Sequence, residues 1–318
     1  MSNTPSLIFD VLIDDCFASI PECSVRPSSN KYLLSTYNDF EDGKWRHTKF
    51  HNFIWDNIAL TALSAREREA LVARSNSELI EAAKNLRLTD IEGNDPGKGS
   101  ELAEIALYAI MHHHFGALPV VPKIFYKQNS QDNVKGADSV HIVATGDDYT
   151  VWLGEAKFYN SINNARLNKI VESIEDTVST LKIKKDSAII TNLQDLDKCV
   201  ANSELCEKIR KELSSDAPLD GVKPKLHIPI LLIHECEITQ GVSDLSDKYI
   251  EDLKAFHLDR ANAYFSKQVK AFGSKIHKYQ EITFHLILFP VPKKAPIIKR
   301  FLTKASFHKE EANSDDEE

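Results

Sequence analysis

The sequence predicts an α/β protein in which helices flank a mixed sheet, and three observations carry that reading. A heavily apolar helix is expected at residues 101–114, directly after a stretch of turn residues. Short β-like runs follow it, two of them joined by Gly146-Asp147-Asp148, the composition of a hairpin turn. A long amphipathic helix at residues 165–180 then leads into further β-like runs. Helix, strands, helix and strand in that order form one α/β unit rather than segregated layers.

Residues 1–87 give weak signals: a strand-like stretch at 32–36, then a helix from Phe53 into the charged stretch 65–73. Residues 1–95 are therefore expected to be an N-terminal region with no assigned role. The best internal boundary is 91–100, where Asn94-Asp95-Pro96-Gly97 is turn chemistry. Ser100 can cap the helix that follows, and Gly116 and Pro119 stop it. Leu102, Ile105, Leu107, Ala109 and Ile110 make that helix apolar around much of its circumference, which implies burial against a sheet. Strands are expected at residues 123–126, 137–144 and 150–158, and after the amphipathic helix at 187–191, 228–233 and 282–289.

With 318 residues and 42% apolar content, the chain can bury a substantial core as one large domain or a domain with an extension. Residues 1–10 lack the basic start and apolar stretch of a signal peptide, and no run approaches the roughly 20 apolar residues of a membrane span. A cytoplasmic protein without membrane contact is expected. Cys16, Cys23, Cys199, Cys206 and Cys236 form no CxxC pair and read as reduced thiols. His112, His113 and His114 point in successive helical directions, so they read as a helix end rather than a metal site. The net charge of −8 argues against a protein that coats nucleic acid. Residues 309–318, however, hold six acids and one lysine, so most of that charge sits in the tail. Residues 306–318 are expected to be a disordered acidic tail.

Residues two apart on a strand share a face, so Glu155 and Lys157 project together. Antiparallel pairing across the short turn can bring Asp138, at the start of the preceding strand, near Glu155. Two convergent carboxylates are the minimum oxygen set for Mg²⁺, which keeps several waters. A lone Glu-x-Lys is ordinarily a surface ion pair worth about 0–1 kcal/mol. Here it ends an apolar strand, Val151-Trp152-Leu153, and stands behind Gly136-Ala137-Asp138 and the capped helix.

This combination resembles the PD-(D/E)XK nuclease superfamily over residues 97–191. The resemblance implies a restriction-endonuclease-like core, here residues 96–305, with Asp138, Glu155 and Lys157 catalytic. It implies that Asp138, Glu155 and the carbonyl of Ala156 hold Mg²⁺, with Mn²⁺ also suited, and that Lys157 orients water or stabilises developing charge. The superfamily often adds a Glu from the first core helix, where Glu101 and Glu104 share a face. Glu101 lies in the first turn, where a carboxylate commonly complements the helix dipole; Glu104 lies deeper among apolar residues and is the favoured ligand.

More closely, Gly99-Ser100-Glu101-Leu102-Ala103-Glu104, Lys135-Gly136-Ala137-Asp138 and Trp152-Leu153-Gly154-Glu155-Ala156-Lys157 resemble the HamA family, nuclease subunits of the Hachiman antiphage defence system. That resemblance implies an effector degrading DNA, regulated by a helicase partner, HamB. The alternative is a non-catalytic subunit that keeps the nuclease fold to bind nucleic acid or regulate a partner. Candidate DNA contacts are Lys123, Lys127, Lys135, Arg166, Lys169, Lys267, Lys270, Lys275 and Lys278, each weighed against a solvated helix face.

Overall fold

The computed structural model describes residues 6–23, 30–88, 100–128, 137–192 and 195–314. Its strands are β1 (Asp10–Cys16), β2 (Lys31–Tyr37), β3 (Phe40–Glu41), β4 (Lys44–Trp45), β5 (Leu118–Val121), β6 (Ser139–Thr145), β7 (Asp148–Tyr159), β8 (Leu226–Glu235) and β9 (Thr283–Val291). Seven of them form one mixed sheet in the order β1-β2-β9-β8-β7-β6-β5, and β3 and β4 pair separately. Strands β2, β9, β8 and β7 run parallel. The antiparallel pairings lie towards the two edges, β1 on β2 and β7 through β6 to β5. Every residue of β9 is buried, as expected for a central parallel strand covered on both faces.

The helices are α1 (His47–Asp56), α2 (Ile58–Ala62), α3 (Ala65–Ala70), α4 (Ser75–Lys84), α5 (Ser100–Phe115), α6 (Lys123–Gln128), α7 (Asn164–Thr177), α8 (Thr180–Asn192), α9 (Asp195–Cys199), α10 (Ser203–Glu212), α11 (Glu237–Gln240), α12 (Asp247–Phe272) and α13 (Lys294–Ser314). Strand alternation divides the core. Val151 and Leu153 of β7 pack with Ile170 and Ile174 of α7 and Phe265 of α12. Trp152, Ala156 and Phe158 pack on the other face with α1, α5 and α13. No helix among the described residues is long and apolar enough to cross a membrane.

The hairpin is as expected. Thr145 pairs with Asp148 across a two-residue turn, and Gly146 takes a φ of +61°, which a primed hairpin turn requires. Several other expectations are corrected. Residues 123–126 open α6, and the strand pairing with β6 is β5; Pro122, unable to donate to a ladder, separates the two. Residues 187–191 lie in α8, because Ile183, Asp186, Ser187 and Ile190 are buried at helical spacing. The helix expected from Phe53 is broken into α1, α2 and α3, with Ser64 and Glu67 forming a capping box at the last break.

The tail is helical as far as Ser314. Ala305, His308 and Ala312 bury one face of α13, and Lys309 donates to the Leu86 carbonyl. Residues 315–318, like the boundary at 91–99, lie outside the described residues. From the N-terminal region, β1 and β2 extend the same sheet, β2 pairing with β9.

Gly154 sets how closely α5 approaches the hairpin. A Cβ there would stand 2.1 Å from Ser139 Oγ and 2.8 Å from Leu107 Cδ2. Gly154→Ala is expected to destabilise the fold by about 1–3 kcal/mol through overpacking. Urea unfolding measures it, and an unchanged midpoint would show that α5 yields freely.

Candidate functional site

The ladder between β6 and β7 ends at Ser139 opposite Gly154. Beyond it β7 continues to Tyr159, paired only with β8. Asp138 stands at this fork, and its Oδ2 accepts a hydrogen bond of 3.1 Å from the Ala156 N–H. The N–H and C=O of one strand residue project to the same edge, so the Ala156 carbonyl also faces the side that β6 has left.

Glu155, Lys157 and Tyr159 share the α7 face of β7. Lys157 Nζ lies 2.6 Å from Glu155 Oε1 and 3.4 Å from Asp138 Oδ2, so one ammonium bridges both carboxylates. From α7, Ser173 Oγ donates to Glu155 Oε1 at 2.5 Å. Glu155 is buried, whereas the Lys157 side chain is 30% exposed, so the site opens through its lysine.

Burial and then the Asp138 charge push the Glu155 carboxyl upward in pKa, while Lys157 and Ser173 oppose the shift. Burial works against the Lys157 ammonium, but Asp138 and Glu155 outweigh it and raise its pKa. Burial raises the Tyr159 phenol, opposed by Lys157 and Arg166. The Arg166 guanidinium lies 5.2 Å over the Tyr159 ring, a cation–π contact beside the site.

Asp138, Glu155, Ala156 and Lys157 are thus brought together as expected. Glu101 is occupied elsewhere: its two oxygens accept from the N–H groups of Arg87 (2.7 Å) and Leu88 (3.0 Å), and Leu88 has a positive φ. Glu104 is buried on α5, three residues before the Leu107 that faces Gly154. Among the described residues, no group of three or more His, Cys, Asp or Glu is gathered to hold a metal. The three histidines that end α5 have separate partners, the Ala117 carbonyl, Asn57 and Asp14.

Across the whole fold, a family model described as HamA matches residues 12–305, from β1 into α13. The chain belongs to the HamA family. No curated protein matches it. Membership makes this HamA chain a component of the Hachiman antiviral defence system.

Three residues that bear on the HamA site were missed in the sequence. Tyr159 was accessible in principle, being the next residue on the Lys157 face. Ser173 had no signal beyond its place on an amphipathic helix. Asp186 was hidden because it stands just before residues 187–191, which read as a strand. It is fully buried on α8; one oxygen accepts from the Ala137 N–H at 3.0 Å, and the other pairs with Lys123 of α6 at 3.3 Å. Lys123 is therefore not a DNA contact, since its side chain is 1% exposed and spent on this pair. Arg166 is half-buried beside the site, Lys169 and Lys270 are exposed, and Lys267 is half-buried. Lys275 pairs with Glu175 and Lys278 with Glu281. The side chains of Lys127 and Lys135 lie outside the described residues.

Asp186 anchors the residue next to Asp138, so Asp186→Ala is expected to cost about 3–5 kcal/mol by leaving Lys123 buried without this partner. Chemical denaturation measures the loss. A variant with unchanged stability would show that the pair does not hold the fork.

Proposed function

We propose that this HamA chain is a metal-dependent DNA endonuclease with a PD-(D/E)XK core, acting as the Hachiman effector under the control of a helicase partner, HamB. The observation that carries the reading is the convergence of Asp138, Glu155 and Lys157 where β6 leaves β7. The order α5, β5, β6, β7, α7 and then the parallel strand β8, with α6 inserted between β5 and β6, supports it, because the family pattern asks for helix, three strands, helix and strand. The final strand falls on β8, with α8, α9 and α10 inserted before it.

The residues suit a hard divalent cation. Two carboxylates share one ammonium, and burial and then the Asp138 charge raise the Glu155 pKa, a cost of holding both acids ionised that Mg²⁺ or Mn²⁺ would relieve. Asp138, Glu155 and the Ala156 carbonyl would hold it. When bound, the cation supplies Lewis-acid stabilisation of phosphodiester charge and makes water more acidic.

In hydrolysis a water oxygen bonds to phosphorus and gives up a proton to solvent, the bond to the leaving oxygen breaks, and that oxygen takes up a proton from solvent. Lys157, partly exposed and held between two acids, can donate to a phosphoryl oxygen where charge develops. Arg166, seated on the Tyr159 ring, adds a second cation. Ser173 holds one Glu155 oxygen and so limits the carboxylate's rotation. The helicase requirement follows from the family resemblance and from toxicity, since a sequence-blind DNase must be restrained. Against the non-catalytic alternative stands the contact of Lys157 with both Asp138 and Glu155, a constellation a subunit without chemistry has no need to keep.

Asp138→Ala, Glu155→Ala and Lys157→Ala are each expected to remove plasmid cleavage in Mg²⁺, a loss of about 2.7–4 kcal/mol of barrier stabilisation, with folding retained. The assay is run with EDTA as the blank and with and without the genomic helicase neighbour. Full activity in any variant would move the site, and equal cutting of host DNA by free and complexed enzyme would remove the helicase from the reading.

A third acid separates on the same assay with Mg²⁺ titrated. Glu101→Gln loses an acceptor for a backbone N–H and is expected to lower stability by about 1–3 kcal/mol with little change in metal demand. Glu104→Gln is expected to need more Mg²⁺. The reverse pattern would transfer the ligand role to Glu101.

A further inference from the structure

Past Lys157 strand β7 ends at Tyr159, which pairs with His234 one residue before the end of β8. Beyond these two strand ends lies a cavity of about 440 Å³, between residues 160–163, α11 and α12. That volume is within the range of small-molecule pockets. Tyr159 and Phe256 of α12 border one core layer, the layer beneath α7 and α12. Glu155 and Lys157 project to that same side of the sheet, so cavity and site lie on one face.

The lining suits a flat, uncharged heterocycle. Phe256 is half-buried and supplies an aromatic surface. Asn160, Asn163 and Gln240 are exposed at the rim, and each carboxamide carries both a donor and an acceptor. Asn163 Oδ1 caps α7 by accepting from the Arg166 N–H (3.0 Å), so its NH₂ group remains as a donor. A phosphate does not suit the cavity: Glu235 and Glu237 also line it, and the lining guanidinium, Arg260, is paired with Asp259 (2.9 Å).

A buried chain of hydrogen bonds holds this wall in shape. The Glu235 carbonyl can only accept, so His234 donates to it through Nδ1 (3.0 Å) and keeps Nε2 as an acceptor. His257 then donates from Nε2 (3.2 Å), which leaves its Nδ1 to accept from Ser35 Oγ (2.6 Å). Burial brings His234 down to about 4 and His257 well below its ordinary pKa, so both rings are neutral and the order of donors is fixed. Ser35, His257 and His234 thus tie β2, α12 and β8 together at Glu235 and Phe256, whose ring centre stands 5.9 Å from that of His234. A pocket braced in this way is formed before its ligand arrives.

We propose that this cavity takes one unpaired nucleobase of the strand whose cut phosphate lies at Asp138, Glu155 and Lys157. The proposal rests on the nuclease reading and gives it a substrate form, single-stranded or locally opened DNA. Lys157 and Asn160 are three residues apart, roughly 10 Å along the strand, or about three steps of a stacked nucleic-acid strand. Tyr159, with the Arg166 guanidinium over its ring, lies between them. Only a base freed from its partner and its stack can offer a face to Phe256 and an edge to the amides together.

The test is fluorescence anisotropy in EDTA, so that binding is read without cleavage. Two labelled oligonucleotides of equal length are compared, a single strand of mixed sequence and a strand in which every sugar lacks its base. Phe256→Leu is expected to weaken the base-bearing strand by roughly 5–150-fold, the loss of one base–aromatic stack, and to leave the abasic strand unchanged. Phe307→Ala removes an aromatic ring that is 56% exposed on α13, and as the control it is expected to alter neither. Circular dichroism checks folding, and Gln240→Ala, at an exposed position of α11, carries the same comparison if Phe256→Leu unfolds.

Unchanged binding of the base-bearing strand, or an equal loss on both strands, would overturn the proposal. So would the same loss on a blunt duplex, whose bases are paired. Displacement of the strand by free deoxynucleoside monophosphate at the same nucleotide concentration would also overturn it, assigning the cavity to a soluble nucleotide. If the wild type shows the Phe256-dependent preference for bases but never cleaves in Mg²⁺, the nuclease reading fails and the cavity stands. If it cleaves while binding is independent of Phe256, the cavity fails alone.

Discussion

The hydrogen bond from the Ala156 N–H to Asp138 joins the fold to its chemistry. Where β6 parts from β7, the backbone of β7 loses its partner along one edge, and buried peptide groups left unpaired cost about 1–3 kcal/mol each. A carboxylate at the fork takes the N–H. The same edge presents the Ala156 carbonyl, and strand alternation sends Glu155 and Lys157 to one face beside it. A structural requirement, closing the end of a hairpin, therefore places two acids, a lysine and a carbonyl together.

That fork has to be held, and the elements that hold it are remote in sequence. Asp186 fixes the Ala137 N–H and is paired with Lys123, so α6 and α8 brace the chain just before Asp138. On the other side, β8 pairs with β7 from Val151 to Tyr159, and Ser173 reaches Glu155 from α7. The parallel strands supply rigidity because both faces are covered. Their cost is solubility of the isolated segment, since Leu226–Glu235 and Thr283–Val291 are nearly all buried.

How much of this was legible depends on the range of the interaction. The hairpin was readable because its turn chemistry and alternation are local, and Glu155 with Lys157 followed from a period of two. Helix α5 was readable because an almost continuous apolar circumference can only be buried. By contrast, residues 123–126 and 187–191 are short apolar runs that fit a strand or a buried helix equally well, and tertiary packing decided for helix. The Lys123–Asp186 pair spans 63 residues and joins the first of those segments to the residue just before the second, so nothing local announced it. The helical tail was hidden by composition: six acids suggested solvation, while Ala305, His308 and Ala312 quietly supplied one buried stripe. The capacity of β1 and β2 to join the main sheet likewise lay in pairing with β9, far along the chain.

The net charge of −8 looks hostile to a nucleic-acid partner, yet charge acts locally. At physiological salt the screening length is about 8 Å, so acids on the far side of a 318-residue protein contribute little at the fork. What matters is the arrangement within that radius. At the fork that arrangement is two carboxylates against one ammonium, with the Arg166 guanidinium a further cation over the Tyr159 ring, so the local field is set by these few groups and not by the charge of the whole chain.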